Sequence, residues 1–90
     1  MLDTKEIQCF VACAQTGSFS KAAEKLFTTQ SSVSKIVKAM EEKTGCLLFE
    51  RMSKGIRMTS EAEKMYPYAL SVLDNLKQLQ TCLLYTSLIK

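Results

Sequence analysis

The stretch TTQSSVSKIVKAME, residues 28–41, carries two sets of side chains at helical spacing. Ser31, Ser34, Lys35 and Lys38 recur at i, i+3, i+4 and i+7, with Thr29 and Gln30 just ahead of them. Val33, Ile36, Val37 and Met40 repeat the pattern two residues later, about 200° around a helix axis. One side of this helix is therefore apolar, and the other holds short hydroxyls, an amide and two ammonium groups. Those groups are suited to close-range hydrogen bonding and to attracting anionic oxygens. Three more cations, Arg51, Lys54 and Arg57, gather around the turn-forming Ser53-Lys54-Gly55.

Other chemistry finds less support. The spacing Ser-x-x-Lys occurs at Ser18–Lys21 and Ser32–Lys35, as in serine–lysine nucleophile pairs. The motifs that accompany such pairs are missing, Ser32 borders the apolar stripe, and the chain has no histidine. No catalytic residue is assigned and an enzyme is not expected. The four cysteines, Cys9, Cys13, Cys46 and Cys82, form no C-x-x-C pair, so neither a structural metal nor a cofactor is expected. They read as small hydrophobes of a reducing compartment.

The net charge of +3 is unevenly spread. Between residues 20 and 57, Lys21, Lys25, Lys35, Lys38, Lys43, Arg51, Lys54 and Arg57 face only Glu24, Glu41, Glu42 and Glu50, whereas residues 61–90 balance. A basic middle suggests an anionic partner. No run approaches the roughly 20 apolar residues of a membrane span. The acidic residue in MLDTKEIQCF argues against a secretion signal, so a cytoplasmic protein is expected.

Several elements must position these residues. Asp3-x-x-Glu6 is a capping box opening a first helix, with Ile7, Phe10, Val11 and Ala14 as its stripe and Gly17 as its stop. Ser18 caps a short second helix on Phe19, Ala22, Ala23 and Leu26, whose alanines admit a close neighbour. Thr29 caps the third helix, which runs from Gln30 to about Lys43 with Gly45 beyond its end. Cys46–Arg51 and Ile56–Met58 read as antiparallel strands joined by the turn. A last helix opens at Thr59 or Ser60, with Ser60-x-x-Glu63 as a second capping box. Its Ala62, Met65, Ala69, Val72, Leu76, Leu79 and Leu83 form a heptad seam suited to a second copy, while Pro67 is expected to kink it.

Helix, short helix, turn, helix, basic hairpin and long helix make a mainly α fold. It is a winged helix-turn-helix with a small β-hairpin wing and a long C-terminal dimerisation, or linker, helix. The expected divisions are 1–59 for the winged domain, 60–81 for the linker helix and 82–90 for a non-native or truncated tail. In such folds the second helix of the turn motif enters the DNA major groove, leading with its N-terminal residues. Double-stranded DNA is thus the expected partner, contacted by Thr29, Gln30, Ser31, Ser34, Lys35 and Lys38 from the helix. Arg51, Lys54 and Arg57 would contribute from the wing. Homodimerisation is expected through Ala62, Met65, Ala69, Val72, Leu76 and Leu79.

The same residues resemble the DNA-binding domain of LysR-type bacterial transcriptional regulators, over about Leu2 to Leu79. The resemblance is carried by F-V-A-C-A at 10–14, G-S-F-S-K-A-A-E-K-L at 17–26, Gln30 and Ser34, M-E-E-K-T-G at 40–45, and L-F-E-R at 48–51. It implies a winged helix, a dimerising linker helix and, usually, a C-terminal effector-binding domain with a periplasmic-binding-protein-like fold. A small-molecule effector is expected only with such a domain. Gln30, Ser31, Ser34 and Lys35 match the family's base- and phosphate-contacting positions, and Arg51 and Lys54 match its wing. Three residues depart from the pattern: Ser31 replaces a usual proline, Lys35 a common arginine, and Ala62 a usual glycine. Lysine pairs less readily than arginine with guanine in bidentate fashion, so a relaxed or different base choice is expected.

The tail CLLYTSLIK turns apolar where the family's linker helix is polar on one side. C-L-L-Y-T-S is also what one reading frame of a common sequencing-library transposon end encodes. The expectation is that the genuine sequence ends near Gln80, with read-through beyond it, and that the natural protein continues into an effector domain. The rival is a short regulator whose terminal helix extends the dimer seam through Leu83. A coiled-coil interaction module without sequence-specific DNA binding is the alternative function. It accounts for the heptads but leaves the basic hairpin and the hydroxyl face without a purpose.

Overall fold

The computed structural model describes residues 1–89, with side chains described through Leu83. In chain order it contains α1 (Thr4–Thr16), α2 (Phe19–Lys25), α3 (Gln30–Thr44), β1 (Phe49–Met52), β2 (Gly55–Met58) and α4 (Ser60–Ile89). The helix limits follow local chemistry. Asp3 and Glu6 close the reciprocal capping box of α1, Ser18 caps α2 by accepting from Lys21 N–H, and Thr29 caps α3 by accepting from Ser32 N–H. Gly17 and Gly45 end α1 and α3 in the left-handed conformation, at φ 67 and 73.

Cys9, Phe10 and Cys13 of α1 are fully buried among Ala22 and Ala23 of α2, Val33, Val37 and Met40 of α3, Leu48 and Phe49, Ile56 of β2, and Ala62 and Ala69 of α4. Ala22 and Ala23 let α2 sit close to both α1 and α3, with which it makes extensive contact. The buried Cys13 thiol is pushed far above its ordinary pKa, first by its hydrogen bond with Cys9 and then by burial, which suits the hydrophobe reading.

Three local expectations need correction. The first strand begins at Phe49, not Cys46. Leu47 and Leu48 are held instead by non-strand bonds: Leu48 N–H donates to Glu41 Oε2 (2.8 Å), Thr59 N–H to Leu48 C=O (2.9 Å), and Thr59 hydroxyl to Leu47 C=O (2.6 Å). The second capping box does not form. Thr59 caps α4 by accepting from Ala62 N–H (3.3 Å), and the Ser60 hydroxyl turns to its neighbour Glu61. Finally, α4 does not end at residue 81; its backbone stays helical through Ile89, with Pro67 inside it. Expectations for the tail beyond Leu83 fall on side chains outside the described residues, as does Lys90 altogether.

The hairpin is fixed to the helices at its tip. Register pairs Phe49 with Met58, Glu50 with Arg57, Arg51 with Ile56 and Met52 with Gly55, leaving Ser53 and Lys54 as the turn. Ile56 N–H donates to Gly17 C=O (2.9 Å), and a Cβ at Gly55, where φ is 93, would collide with the same carbonyl oxygen. Only glycine lets the wing sit this close to the end of α1. Gly55→Ala is expected to cost about 2 kcal/mol or more and to lower Tm by roughly 10 °C. A thermal melt within two or so degrees of the parent would show that the tip does not need this contact.

A second long-range tie joins the first turn of α1 to the last turn of α3. Glu6, only 6% exposed, accepts from Asp3 N–H (3.0 Å) and, at both oxygens, from Lys43 Nζ (2.9 and 3.0 Å). The Asp3 N–H and then the Lys43 ammonium hold its carboxyl below the usual glutamate range. A depressed folded pKa means that the stabilisation is complete above the ordinary value and is lost as pH falls through the depressed one. Tm measured from pH 7 down through the carboxylate range is expected to fall more steeply for the parent than for Glu6→Gln. Parallel acid limbs would mean that the tie contributes nothing.

Candidate nucleic-acid interface

Burial of Val33, Val37 and Met40 decides which side of α3 meets solvent. Gln30, Ser31, Lys35 and Lys38 are exposed, and Ser34 is half-buried. Thr29 is exposed too, but its hydroxyl is engaged: it accepts from Ser32 N–H (3.2 Å), donates to Ser32 Oγ (2.9 Å) and lies 3.3 Å from Ser31 Oγ. It is the N-cap of α3.

The turn ahead of α3 contains a residue that sequence reasoning passed over. Phe27 takes a left-handed φ of 57 and is 97% exposed. Its N–H donates to Glu24 C=O (3.2 Å), and Thr28 N–H donates to Ala23 C=O (2.9 Å), so the chain reverses within one turn. A bulky side chain in that conformation leaves no pattern in hydropathy by which to find it.

The three wing cations have separate fates. Successive strand residues point to opposite faces, so the register places Arg51 with Ile56 on the face toward the core, and Glu50 with Arg57 on the outer face. Arg57 pairs with Glu50 directly across the hairpin, Nη2 to Oε2 at 3.1 Å. Both groups are well exposed, so the pair adds little stability but offsets the Arg57 charge. Arg51 instead lies with Cζ 5.4 Å from the Phe19 ring centroid. Lys54 stands in the exposed turn with no ion pair among the described residues. The turn expected from the sequence includes Gly55 and starts the second strand at Ile56, but Gly55 pairs with Met52 in β2. The turn is Ser53–Lys54 alone, which is what sets Glu50 opposite Arg57. Neither this pairing nor the Phe19–Arg51 contact was legible in the sequence.

The side chains converge at a cleft of about 200 Å³ between α3 and the wing, lined by Ser34, Val37, Lys38, Glu41, Phe19, Phe49, Arg51 and Ile56. It joins three predicted contact residues, Ser34, Lys38 and Arg51. Glu41, the one acid among the described lining residues, accepts the Leu48 N–H. The cleft thus brings a hydroxyl-bearing residue of α3 together with two cations against one carboxylate. Lys43, counted in the basic excess, does not belong there, since Glu6 neutralises it on another side of the domain. Among the described residues no group of His, Cys, Asp and Glu could hold a metal ion, and no helix is long and apolar enough to cross a membrane.

The seam of α4 divides in two. Ala62 is fully buried and Ala69 is 8% exposed, so these two face their own domain and not a second copy, while Met65 is half-buried against the core. The physical reason is that α1 covers the first turns of α4, where small side chains permit close approach. Val72, Leu79 and Leu83 are 44%, 57% and 60% exposed, and Leu76 is half-covered.

Comparison with known proteins gives a consistent result. A family model described as bacterial regulatory helix-turn-helix protein, lysR family, matches residues 4–63. An uncharacterised HTH-type transcriptional regulator of Azotobacter vinelandii, from the ibpB–leuC intergenic region, is 35% identical over 82 residues, covering 91% of this chain and 57% of that protein. The HTH-type transcriptional regulator CitR of Bacillus subtilis is 39% identical over 74 residues, 82% of this chain and 25% of that one. The chain thus spans from a quarter to somewhat over half the length of these relatives. Among solved structures, the BenM DNA-binding domain in complex with benA site 1 DNA superposes with a TM-score of 0.89 at 31% identity, over 96% of this chain and 97% of that one.

Proposed function

The chain belongs to the lysR family of bacterial regulatory helix-turn-helix proteins, and from that premise we propose that it binds double-stranded DNA sequence-specifically, as a homodimer, to regulate transcription in the cytoplasm. The observation that carries this reading is the cleft in which Ser34 and Lys38, from the polar side of α3, meet Arg51 of the wing. In the proposed arrangement α3 lies in the major groove. Gln30, Ser31, Ser34 and Lys35 read base edges, because short polar groups and a lysine on the first turns come nearest to them. Lys38, Arg51 and Lys54 hold phosphates, and Arg57 contributes less because Glu50 offsets it. Thr29 sets the entry of α3 and offers no free hydroxyl. The DNA-bound state of the BenM domain supports the reading, since that domain shares this fold end to end.

For the dimer, the support is the stripe of Val72, Leu76, Leu79 and Leu83 on the part of α4 that its own domain leaves open. Two copies related by a two-fold axis would place two α3 helices in successive major grooves of an imperfect inverted repeat. Selection from a random duplex pool at two salt concentrations tests the function. Strong salt dependence with an enriched inverted repeat is expected. Salt-dependent retention without enrichment would reduce the role to phosphate binding, and no retention would leave a helical association module.

A further inference from the structure

We propose that Phe19 is a positioning residue for DNA binding, its ring holding the Arg51 guanidinium at the mouth of the α3–wing cleft without neutralising it. The inference rests on the DNA-binding reading above and adds a residue that lies in no recognition helix. Phe19 opens α2, and its ring is fixed edge-on against Phe49, with centroids 6.1 Å apart and planes at 83°. Phe49 leans on Phe10 (5.6 Å), and Phe10 on Tyr66 of α4 (6.4 Å). Four rings thus run from α4 to the wing and end at Arg51, whose Cζ is 5.4 Å from the Phe19 centroid. A ring anchored in this way is a rigid wall.

Phe49 and Arg51 are two apart on β1 and share the face toward the core, so one strand supplies both partners of Phe19. Among the described residues neither neighbouring acid forms an ion pair with Arg51. Glu50 takes Arg57 on the outer face, and Glu41 takes the Leu48 N–H. A carboxylate beside Arg51 would orient it but cancel its charge. An aromatic face orients it by cation–π attraction and stacking and leaves the charge and the in-plane N–H fork available. Opposite it across the cleft stand Lys38 and the Ser34 hydroxyl. A backbone phosphate entering there would meet a bidentate donor that has already lost much of its rotamer freedom.

The test is a double-mutant cycle on the tightest-binding duplex recovered from the pool, read as Kd and as salt slope. Phe19→Leu is expected to weaken binding roughly 2- to 5-fold with the salt slope unchanged, because every charge remains. In the Arg51→Ala background, whose slope is smaller by about one, Phe19→Leu should weaken binding no further. Phe19→Tyr should restore parental affinity, since it keeps the ring. Arg51→Lys should keep the slope yet lose affinity. An independent readout is the ring-current shift of the Arg51 side-chain protons, expected upfield in the parent and in Phe19→Tyr and absent in Phe19→Leu. Equal losses from Phe19→Leu in both backgrounds, or an unshifted Arg51, would overturn the positioning role. A parent chain that binds no duplex overturns it too. In that case an upfield Arg51 would locate the failure in the DNA reading and not in the ring contact.

Discussion

Leu76→Asp is expected to convert the dimer to a monomer and to weaken binding to a duplex with two half-sites by about a hundredfold or more, while a single half-site loses no more than about twofold. Leu76 lies past the part of α4 that packs on α1, midway along the stripe of Val72, Leu79 and Leu83. Burying one leucine contributes about 1.5–3 kcal/mol, and a two-fold axis presents each change twice. A carboxylate in the same seam adds desolvation and like-charge repulsion. The domain should be spared, because Leu76 is absent from its buried core. Light scattering reports the mass, and anisotropy on the two duplexes reports the linkage. Equal losses on both duplexes would refute dimerisation through this stripe. Ala69→Asp is the control, since Ala69 is 8% exposed within its own domain and should unfold the protein instead.

The second large effect is expected from Lys35→Ala. Its ammonium is exposed on the second turn of α3, with no ion pair among the described residues. Removing a base-reading contact costs about 1–3 kcal/mol on the preferred duplex, or roughly 5- to 150-fold, and far less on unrelated sequence. Lys54→Ala, in the wing turn, should weaken all duplexes about equally and reduce the salt slope by about one. Titrating both variants on preferred and scrambled duplexes at several salt concentrations separates the roles. A change of base preference in Lys54→Ala would mean that the wing reads sequence. A uniform loss in Lys35→Ala would mean that the helix only holds phosphates there.

Much of the fold was legible because its determinants are local. Capping bonds reach three residues, so Asp3–Glu6, Ser18 and Thr29 set the starts of three helices. Gly17 and Gly45 set two ends by taking conformations that other residues avoid. The apolar period of α3 told which side would be buried, and therefore which hydroxyls and cations would face outward. The start of α4 was ambiguous, as Thr59 and Ser60 are chemically similar caps. Bonds from Thr59 to Leu47 and Leu48, a dozen residues away, settled it.

The sequence by itself determined the order of elements, the exposed chemistry of α3 and the family to which the chain belongs. Tertiary structure alone decided which charges remain free. Glu6 removes Lys43 from the basic face across 37 residues of chain, and Phe19 takes Arg51 onto its ring. Tertiary structure also divided the α4 seam, placing Ala62 and Ala69 in the domain's own core and leaving Val72, Leu79 and Leu83 open. The physical reason is the same in each case. Periodicity and capping depend on neighbours within a helical turn, whereas the partner of a charge or an apolar stripe depends on which distant elements the core brings against it.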